Sequence, residues 1–247
     1  MFQIFKSKKT TILPNIGFKT DLHSHLLPGI DDGSDSVEES IELITRLQNM
    51  GIERFITTPH IAESAFPNTI VEISESYQRL SLALKEANLD VNLRYSAEYR
   101  LDDNYIELFQ NNQLIPFPGN YVLIENSYYQ AFWGIDELIF KMITAGFHPI
   151  LAHPERYRYY GNDTASYEKL HNLGCKFQVN ILSFAGSYGK EAKVAANYLL
   201  NYGYIDFLAT DAHHIRHIET LEQFCGTSEY KKILSKVALM NDHIPSF

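Results

Sequence analysis

The sequence predicts an α/β protein of parallel strands, best arranged as a closed or nearly closed (β/α)7 barrel with its helices outside. An open doubly wound sheet is the alternative. Three observations predict this class. Seven strand-like runs each give way to a helical run through a short connection, the pattern of a parallel sheet. Runs such as Val122–Ile124 and Ile150–Ala152 are apolar throughout, as strands covered on both faces are. The 247 residues suit seven such units, and no glycine-rich phosphate loop follows the first strand, which counts against a nucleotide-binding sheet.

The first strand is Phe18–Leu22, followed by the acidic loop Pro28–Ser34. Ser36-Val37-Glu38-Glu39 has capping-box form, and Val37, Ile41, Ile44 and Leu47 share one face of the helix, which stops at Gly51. Glu53–Thr58 is the second strand, followed by Pro59-His60 and a helix over Asn68–Ala87. Val91–Ala97 is the third, ending at Glu98, with a short helix over Asp102–Gln110. Tyr121–Ile124 ends at Glu125, and its helix over Ile135–Ala145 stops at Gly146. His148–Ala152 ends at His153; a proline fits the opening of a strand. Its helix covers Ala165–Leu173. Lys176–Asn180 precedes a long helix over Gly189–Asn201, and Tyr204–Ala209 ends at Thr210-Asp211. Helical sequence fills most of the rest to Met240. No low-complexity linker interrupts the chain, so residues 18–247 read as one domain behind an N-terminal arm of residues 1–17.

Composition narrows the function. A formal charge of −9 disfavours a nucleic-acid partner, which needs clustered Lys and Arg. No run of 18 apolar residues is present, so no transmembrane segment is expected. The start mixes apolar and basic residues without the apolar block of a secretory signal. Cys175 and Cys225 lack metal-type spacing and suit a reducing compartment, hence a cytoplasmic location.

The chemistry lies at the strand ends. His23 and His25 stand two residues apart on extended chain, so both rings point to one side and can meet one ion. His60, Glu98, Glu125, His153, Asp211 and His213 fall at or just after predicted C-terminal strand ends, with Asp32 in the loop after the first strand. In a barrel those ends converge on the face that carries active sites. Imidazole and carboxylate without thiolate suit manganese, iron or zinc. Nine candidates exceed the needs of one ion, so two or three divalent ions bridged by carboxylate are expected. Such ions activate water near neutral pH and polarise phosphoryl oxygens, which suits phosphoester hydrolysis. Their binding should weaken as pH falls through about 6.5, because the histidines must be deprotonated. Structural alternatives stand beside these readings. Asp32 could be a turn residue, and Glu125 could pair with an arginine. Arg156 could bind phosphate or pair with Glu155, and Arg216 is a second phosphate candidate. The aromatics Tyr128, Tyr129, Phe132, Trp133, Tyr157, Tyr159 and Tyr160 could flank an aromatic substrate at the same rim.

The stretches Asp21–Gly33, Thr58-Pro59-His60, Glu98, Leu123-Ile124-Glu125, Ala152–Arg156 and Asp211-Ala212-His213 together resemble the PHP superfamily. More closely they resemble the CpsB/YwqE-type bacterial metal-dependent protein-tyrosine phosphatases of capsule and exopolysaccharide operons. The resemblance implies a distorted (β/α)7 barrel with a trinuclear site, often manganese, magnesium being a further alternative. It implies His23, His25, Glu98 and Asp211 around one ion, Glu98, Glu125 and His153 around a second, and Asp32, His60 and His213 around a third. Arg156 matches a family arginine that contacts phosphate. The second family arginine lies where this chain has Ile218, so Arg216 is displaced by two residues. The implied partner is a phosphotyrosine protein, a bacterial tyrosine kinase with a tyrosine-rich tail; a homo-oligomer is left open. Thiol-based tyrosine phosphatases need an arginine six residues after the cysteine, where this chain has Ile181 and Lys231. Two other functions fit the same residues, a small-molecule phosphatase such as a histidinol-phosphate phosphatase and a non-catalytic metal-stabilised module that docks a kinase.

Overall fold

The computed structural model describes residues 14–161 and 163–247. The expected arm over residues 1–17 therefore lies mostly outside the described residues. Of its remainder, Ile16 is fully buried; its N–H donates to the Met50 carbonyl (2.8 Å) and its carbonyl accepts from the Tyr230 hydroxyl (2.6 Å).

Among the described residues, all strand pairing is parallel and falls in two sheets. One has β1 (Thr20–Asp21), β2 (Arg54–Thr57) and β4 (Asn92–Tyr95), in that order. The other runs from β3 (His60–Ile61) through β5 (Glu98–Arg100), β6 (Tyr121–Glu125), β7 (His148–Ala152) and β8 (Lys176–Asn180) to β9 (Phe207–Ala209). The sequence predicts seven strands; the extra two come from breaks in the second and third. Pro59 has no N–H to give a ladder, and the chain restarts as a strand at His60. The third run breaks beside it at Ser96-Ala97. Both runs step together, because Ser96 N–H donates to the Thr57 carbonyl (2.9 Å) and Glu98 N–H to the Pro59 carbonyl (3.0 Å). The step seats His60 directly opposite Glu98.

Of the expected closed or nearly closed barrel, closure is not seen among the described residues: the two sheets do not join into one. β1 and β9 share no ladder, because β1 pairs over only two residues before the chain leaves it. An isolated bridge, Ser24 to Ala212, joins their far ends, with Asp211 N–H to the His23 carbonyl and His25 N–H to the Ala212 carbonyl, both 2.9 Å. At the opposite end the Asn241 amide crosses the gap, donating to the carbonyls of Thr20 (2.9 Å) and Leu208 (2.7 Å) and accepting from Leu208 N–H (3.2 Å).

The helices α1 (Val37–Asn49), α2 (Ile70–Glu86), α3 (Asp103–Gln110) and α4 (Ile135–Thr144) accompany the first strands. Ser36 caps α1 by accepting from Glu39 N–H, and Thr69 with Glu72 forms a complete capping box on α2. After β7 come α5 (Arg158–Gly161) and α6 (Thr164–Asn172); after β8, the unexpected α7 (Ile181–Ala185) and then α8 (Gly189–Tyr202). α9 (Ile215–Cys225) and α10 (Ser228–Leu234) close the set. The expected helix to Met240 stops at Leu234. Tertiary hydrogen bonds override propensity there, as the chain returns beneath the strands to deliver Asn241 and Asp242. Apolar side chains of helices and strands, including Leu43, Phe55, Ile124, Phe177 and Leu199, form one buried core cluster.

Candidate metal centre

Strand geometry delivers the predicted side chains to one place. Around His23 Nε2 lie His25 Nε2 (3.3 Å), Glu98 Oε2 (3.1 Å) and Asp211 Oδ1 (3.4 Å). His25 Nε2 is 3.4 Å from Glu98 Oε2 and 3.5 Å from Asp211 Oδ1. Ligands at about 2.1 Å from one tetrahedral or octahedral ion would be about 3.0–3.4 Å apart, close to these spacings. Next to this group, His153 Nε2 lies 2.9 Å from Glu98 Oε1 and 3.7 Å from Glu125 Oε1. On the other side, Asp32 Oδ1 is 3.5 Å from both His60 Nε2 and His213 Nε2. His60 Nδ1 is 3.2 Å from Glu98 Oε2. The structure thus brings all nine predicted ligand candidates together, with Glu98 at the middle.

The surroundings orient these donors. Asp211 Oδ2, an acceptor only, takes a hydrogen bond from Asn180 Nδ2 (2.6 Å). Asn180 Oδ1 then accepts from Gln178 Nε2 (2.7 Å), which turns Gln178 Oε1 toward His23 Nδ1 (2.7 Å). His23 must therefore carry a proton on Nδ1, and its other nitrogen faces the cluster. Asp31 does the same for His25 through Nδ1 (2.7 Å) and also accepts His60 N–H (3.0 Å). The Asp211 carbonyl accepts from His213 Nδ1 (2.9 Å), leaving Nε2 toward Asp32. Carboxylate or carbonyl on one ring nitrogen and a cation on the other is the usual arrangement of a metal-binding histidine. Gly33 permits the Asp31–Asp32 loop to pass here, since a Cβ on it would sit 2.3 Å from the His25 carbonyl oxygen.

The site is rich in unmet negative charge. Among the described residues, the buried Glu125 Oε1 and Asp211 Oδ1 accept no hydrogen bond, and His153 Nδ1 has no partner. Burial and the Glu98 charge push Glu125 up to about 8, against the pull of Arg100. Burial works against protonated His23, yet Glu98 and Asp211 outweigh it and hold the ring up at about 9. Burial brings His60 down to about 4; burial and then Arg156 bring His153 down to about 4. Partial desolvation opposes the charge of Asp32, which is exposed at the rim, but His213 brings it down to about 2. His153 and Asp211 also sit at positive φ (32° and 48°), strained backbone of the kind that collects at functional sites. Buried carboxylates with open lone pairs, facing imidazole nitrogens at ligand spacing, fit divalent cations.

A cavity of about 350 Å³ opens over the cluster. Arg156 lies between two rings, its guanidinium carbon 4.1 Å from the Tyr188 centroid and 4.9 Å from that of Tyr128, and Nη1 donates to Asp211 Oδ2 (3.2 Å). Arg100, unforeseen, lines the same cavity and donates twice to Glu125 Oε2 (2.8 and 2.7 Å). The structure does not bring Arg216 to the cavity; it is exposed beside Glu39 and His214, while Ile218 is buried in the core. Of the predicted rim aromatics, Tyr128 lines the cavity, Tyr157 and Tyr160 are core residues, and Tyr129 and Trp133 are exposed. Sequence signals existed for some residues it missed. Arg100 follows Glu98 by two on one strand, and Gln178 and Asn180 alternate with apolar Phe177 and Val179. Nothing in the sequence points to Tyr188.

Fold and site together define a parallel α/β protein with a histidine–carboxylate centre able to hold a cluster of divalent ions. The chain belongs to the CpsB/CapC family of capsular polysaccharide synthesis, whose family model matches residues 19–238. It is 28% identical over 196 residues to the putative tyrosine-protein phosphatase CapC of Staphylococcus aureus, covering 79% of this chain and 77% of that one. It is 27% identical over 197 residues to the tyrosine-protein phosphatase YwqE of Bacillus subtilis (79% and 78%). The tyrosine-protein phosphatase CpsB of Streptococcus pneumoniae is 27% identical over 201 residues (79% and 83%). In the solved structures, the chain matches one from crystal structures of B. subtilis YwqE and S. pneumoniae CpsB, described as metal-dependent tyrosine phosphatases. That match has a TM-score of 0.75 at 24% identity, over 92% of this chain and 99% of that one.

Proposed function

We propose that the chain is a metal-dependent phosphomonoesterase acting on phosphotyrosine in proteins, and that residues 18–247 work as one catalytic domain. The proposed substrate is a bacterial tyrosine kinase that controls capsule or exopolysaccharide synthesis, met in the cytoplasm. The observation that carries the reading is the mutual spacing of His23 Nε2, His25 Nε2, Glu98 Oε2 and Asp211 Oδ1, the two rings oriented by acceptors on Nδ1 and Asp211 by the Asn180 donor. The names of the relatives point the same way.

His23, His25, Glu98 and Asp211 would hold one ion, Glu98, Glu125 and His153 a second, and Asp32, His60 and His213 a third, manganese being the proposed metal. When bound, such ions polarise phosphoryl oxygens and activate water at neutral pH. The chain itself supplies the rest. Arg156, always charged and clamped between Tyr128 and Tyr188, presents a rigid donor fork to a phosphate in the cavity. Tyr128 also stacks on His153 with an interplanar angle of 16° and walls the cavity, narrowing the approach to a flat aryl group. Arg100 offsets the Glu125 charge, so that the phosphate dianion meets less repulsion.

The test is metal analysis of the purified protein, with phosphotyrosine hydrolysis followed before chelation, after it, and after return of Mn²⁺. Activity lost on chelation and regained with metal is the expected result. Faster turnover of histidinol phosphate than of a phosphotyrosyl peptide would favour a small-molecule phosphatase. Bound metal without hydrolysis of any aryl phosphate would leave a docking module.

A further inference from the structure

The geometry points to a groove between α5–α6 and α8 as the seat for the polypeptide flanking a phosphotyrosine whose phosphate lies in the metal-centre cavity, an inference that rests on the phosphatase reading above. A second cavity, of about 570 Å³, adjoins the first, and Arg156 and Tyr188 line both. A substrate whose phosphate meets Arg156 on one side therefore has a built space on the other. From that shared wall the groove follows α8 from Lys190 to Tyr198. Eight helical steps span about 12 Å, room for three or four extended residues at about 3.3 Å each.

The lining suits a main chain. Ala192 and Ala195 of α8 are small enough to let a backbone lie close, Tyr167 of α6 forms part of the wall, and Val194 offers an apolar lip that is 61% exposed. Glu155, 3% exposed, also lines the groove. One of its oxygens accepts from Asn180 N–H (3.0 Å) and the Ser183 hydroxyl (2.6 Å); the other, Oε2, has no partner among the described residues. An extended peptide carries a main-chain N–H at each residue, the donor such an oxygen lacks. At the rim Arg158 and Glu191 neutralise each other (2.9 Å), while Lys190 is exposed and makes no ion pair among the described residues. The surplus charge is positive, so the matching segment carries an acidic residue within about three or four positions of the phosphotyrosine, the reach of the groove. A small phosphate monoester would leave this space unused.

The experiment compares the metal-loaded protein on p-nitrophenyl phosphate and on phosphotyrosyl peptides with Glu or Lys in the flanking positions. Wild type should prefer the Glu peptide. Val194→Glu, on the exposed lip, should raise KM for the Glu peptide about tenfold, the loss of about 1.4 kcal/mol of contact and charge attraction, and leave p-nitrophenyl phosphate kinetics within about twofold. Lys190→Glu should reverse the preference between the two peptides. Equal effects on both substrate classes, or none on either, overturn the groove while leaving the phosphatase reading intact. If wild type hydrolyses no aryl phosphate at all, the phosphatase reading falls and takes the groove with it.

Discussion

The two ends of the strands bury polar groups in opposite ways. At the N-terminal end the buried groups are hydrogen-bonded among the described residues, with the exception of the Thr20 hydroxyl. The Asn241 amide satisfies three main-chain atoms of β1 and β9, and Asp242 Oδ1 accepts from the N–H groups of Lys19 (2.8 Å) and Thr20 (3.0 Å). Asp206 accepts from Lys176 Nζ (2.9 Å), Phe177 N–H (2.9 Å) and His171 Nε2 (3.1 Å). At the C-terminal end Glu125, Asp211 and His153 keep buried atoms without partners among the described residues, and two of these residues hold strained backbone. Buried polar groups normally find partners, so a cluster that does not is provisioned for something other than protein. Floor and mouth thus separate structure from function in one molecule.

The sharpest way to break the contrast is at the mouth. Asp211→Asn removes one charge from the first cluster and weakens the Arg156 tether. Losing several kcal/mol of charge stabilisation corresponds to a fall in turnover on the order of a thousandfold. Phosphotyrosine hydrolysis and elemental analysis would read this together, and retained metal with full turnover would remove Asp211 from the proposed centre. The matching change at the floor is Asn241→Ala. It strands the Thr20 carbonyl and both Leu208 groups, each orphan worth about 1–3 kcal/mol, so a stability loss of roughly 3 kcal/mol or more is expected in denaturant melts. Metal affinity of the folded fraction should stay unchanged. If floor and mouth variants behave alike, the separation of roles is wrong.

A smaller effect tests the relay that sets the tautomer of His23. Gln178→Leu keeps the volume but removes the acceptor for His23 Nδ1–H and the donor to Asn180. Such changes behind a ligand weaken metal binding about 10–100-fold, measurable by competition with a chelator. Gln178→Glu retains the acceptor and should recover most of the affinity. Equal affinity in the Leu variant would show that the ring needs no such support.

The mouth was far more legible in the sequence than the floor. Ligand candidates sit within a residue or two of strand ends, so finding the strands locates them; His23, His60, Glu98, Glu125, His153 and Asp211 were all placed this way. The break at Ser96-Ala97 was not legible, because neither residue bars a strand and the step is imposed by the neighbouring run at Pro59. Whether the barrel closes fully is not legible for a related reason, since seven units are counted locally but pairing of first and last strands is decided by their lengths. Asn241 was beyond reach. Its partner Thr20 lies 221 residues away, and nothing in Met240-Asn241-Asp242 tells a surface turn from a staple beneath the strands.

The last test returns to the floor and to pH. Burial opposes the charge on Asp206, but hydrogen bonds from His171, Phe177 N–H and Lys176 outweigh it, so its pKa in the folded chain lies below the ordinary aspartate value. A carboxyl whose folded pKa is lowered stabilises the fold above its unfolded pKa, and that contribution fades as pH falls through the folded value. Asp206→Asn should therefore cost about 1.5–3 kcal/mol near neutral pH, the usual worth of hydrogen bonds to a charged group. The gap between wild type and variant should narrow as pH drops below about 4, where the unfolded aspartate takes up its proton. The same melts on His171→Gln identify how much of the pH dependence belongs to the pair. A gap that stays constant from neutral pH to acid would mean that Asp206 holds β8 and the start of β9 by shape and neutral hydrogen bonding, and that its charge contributes nothing to the closed floor.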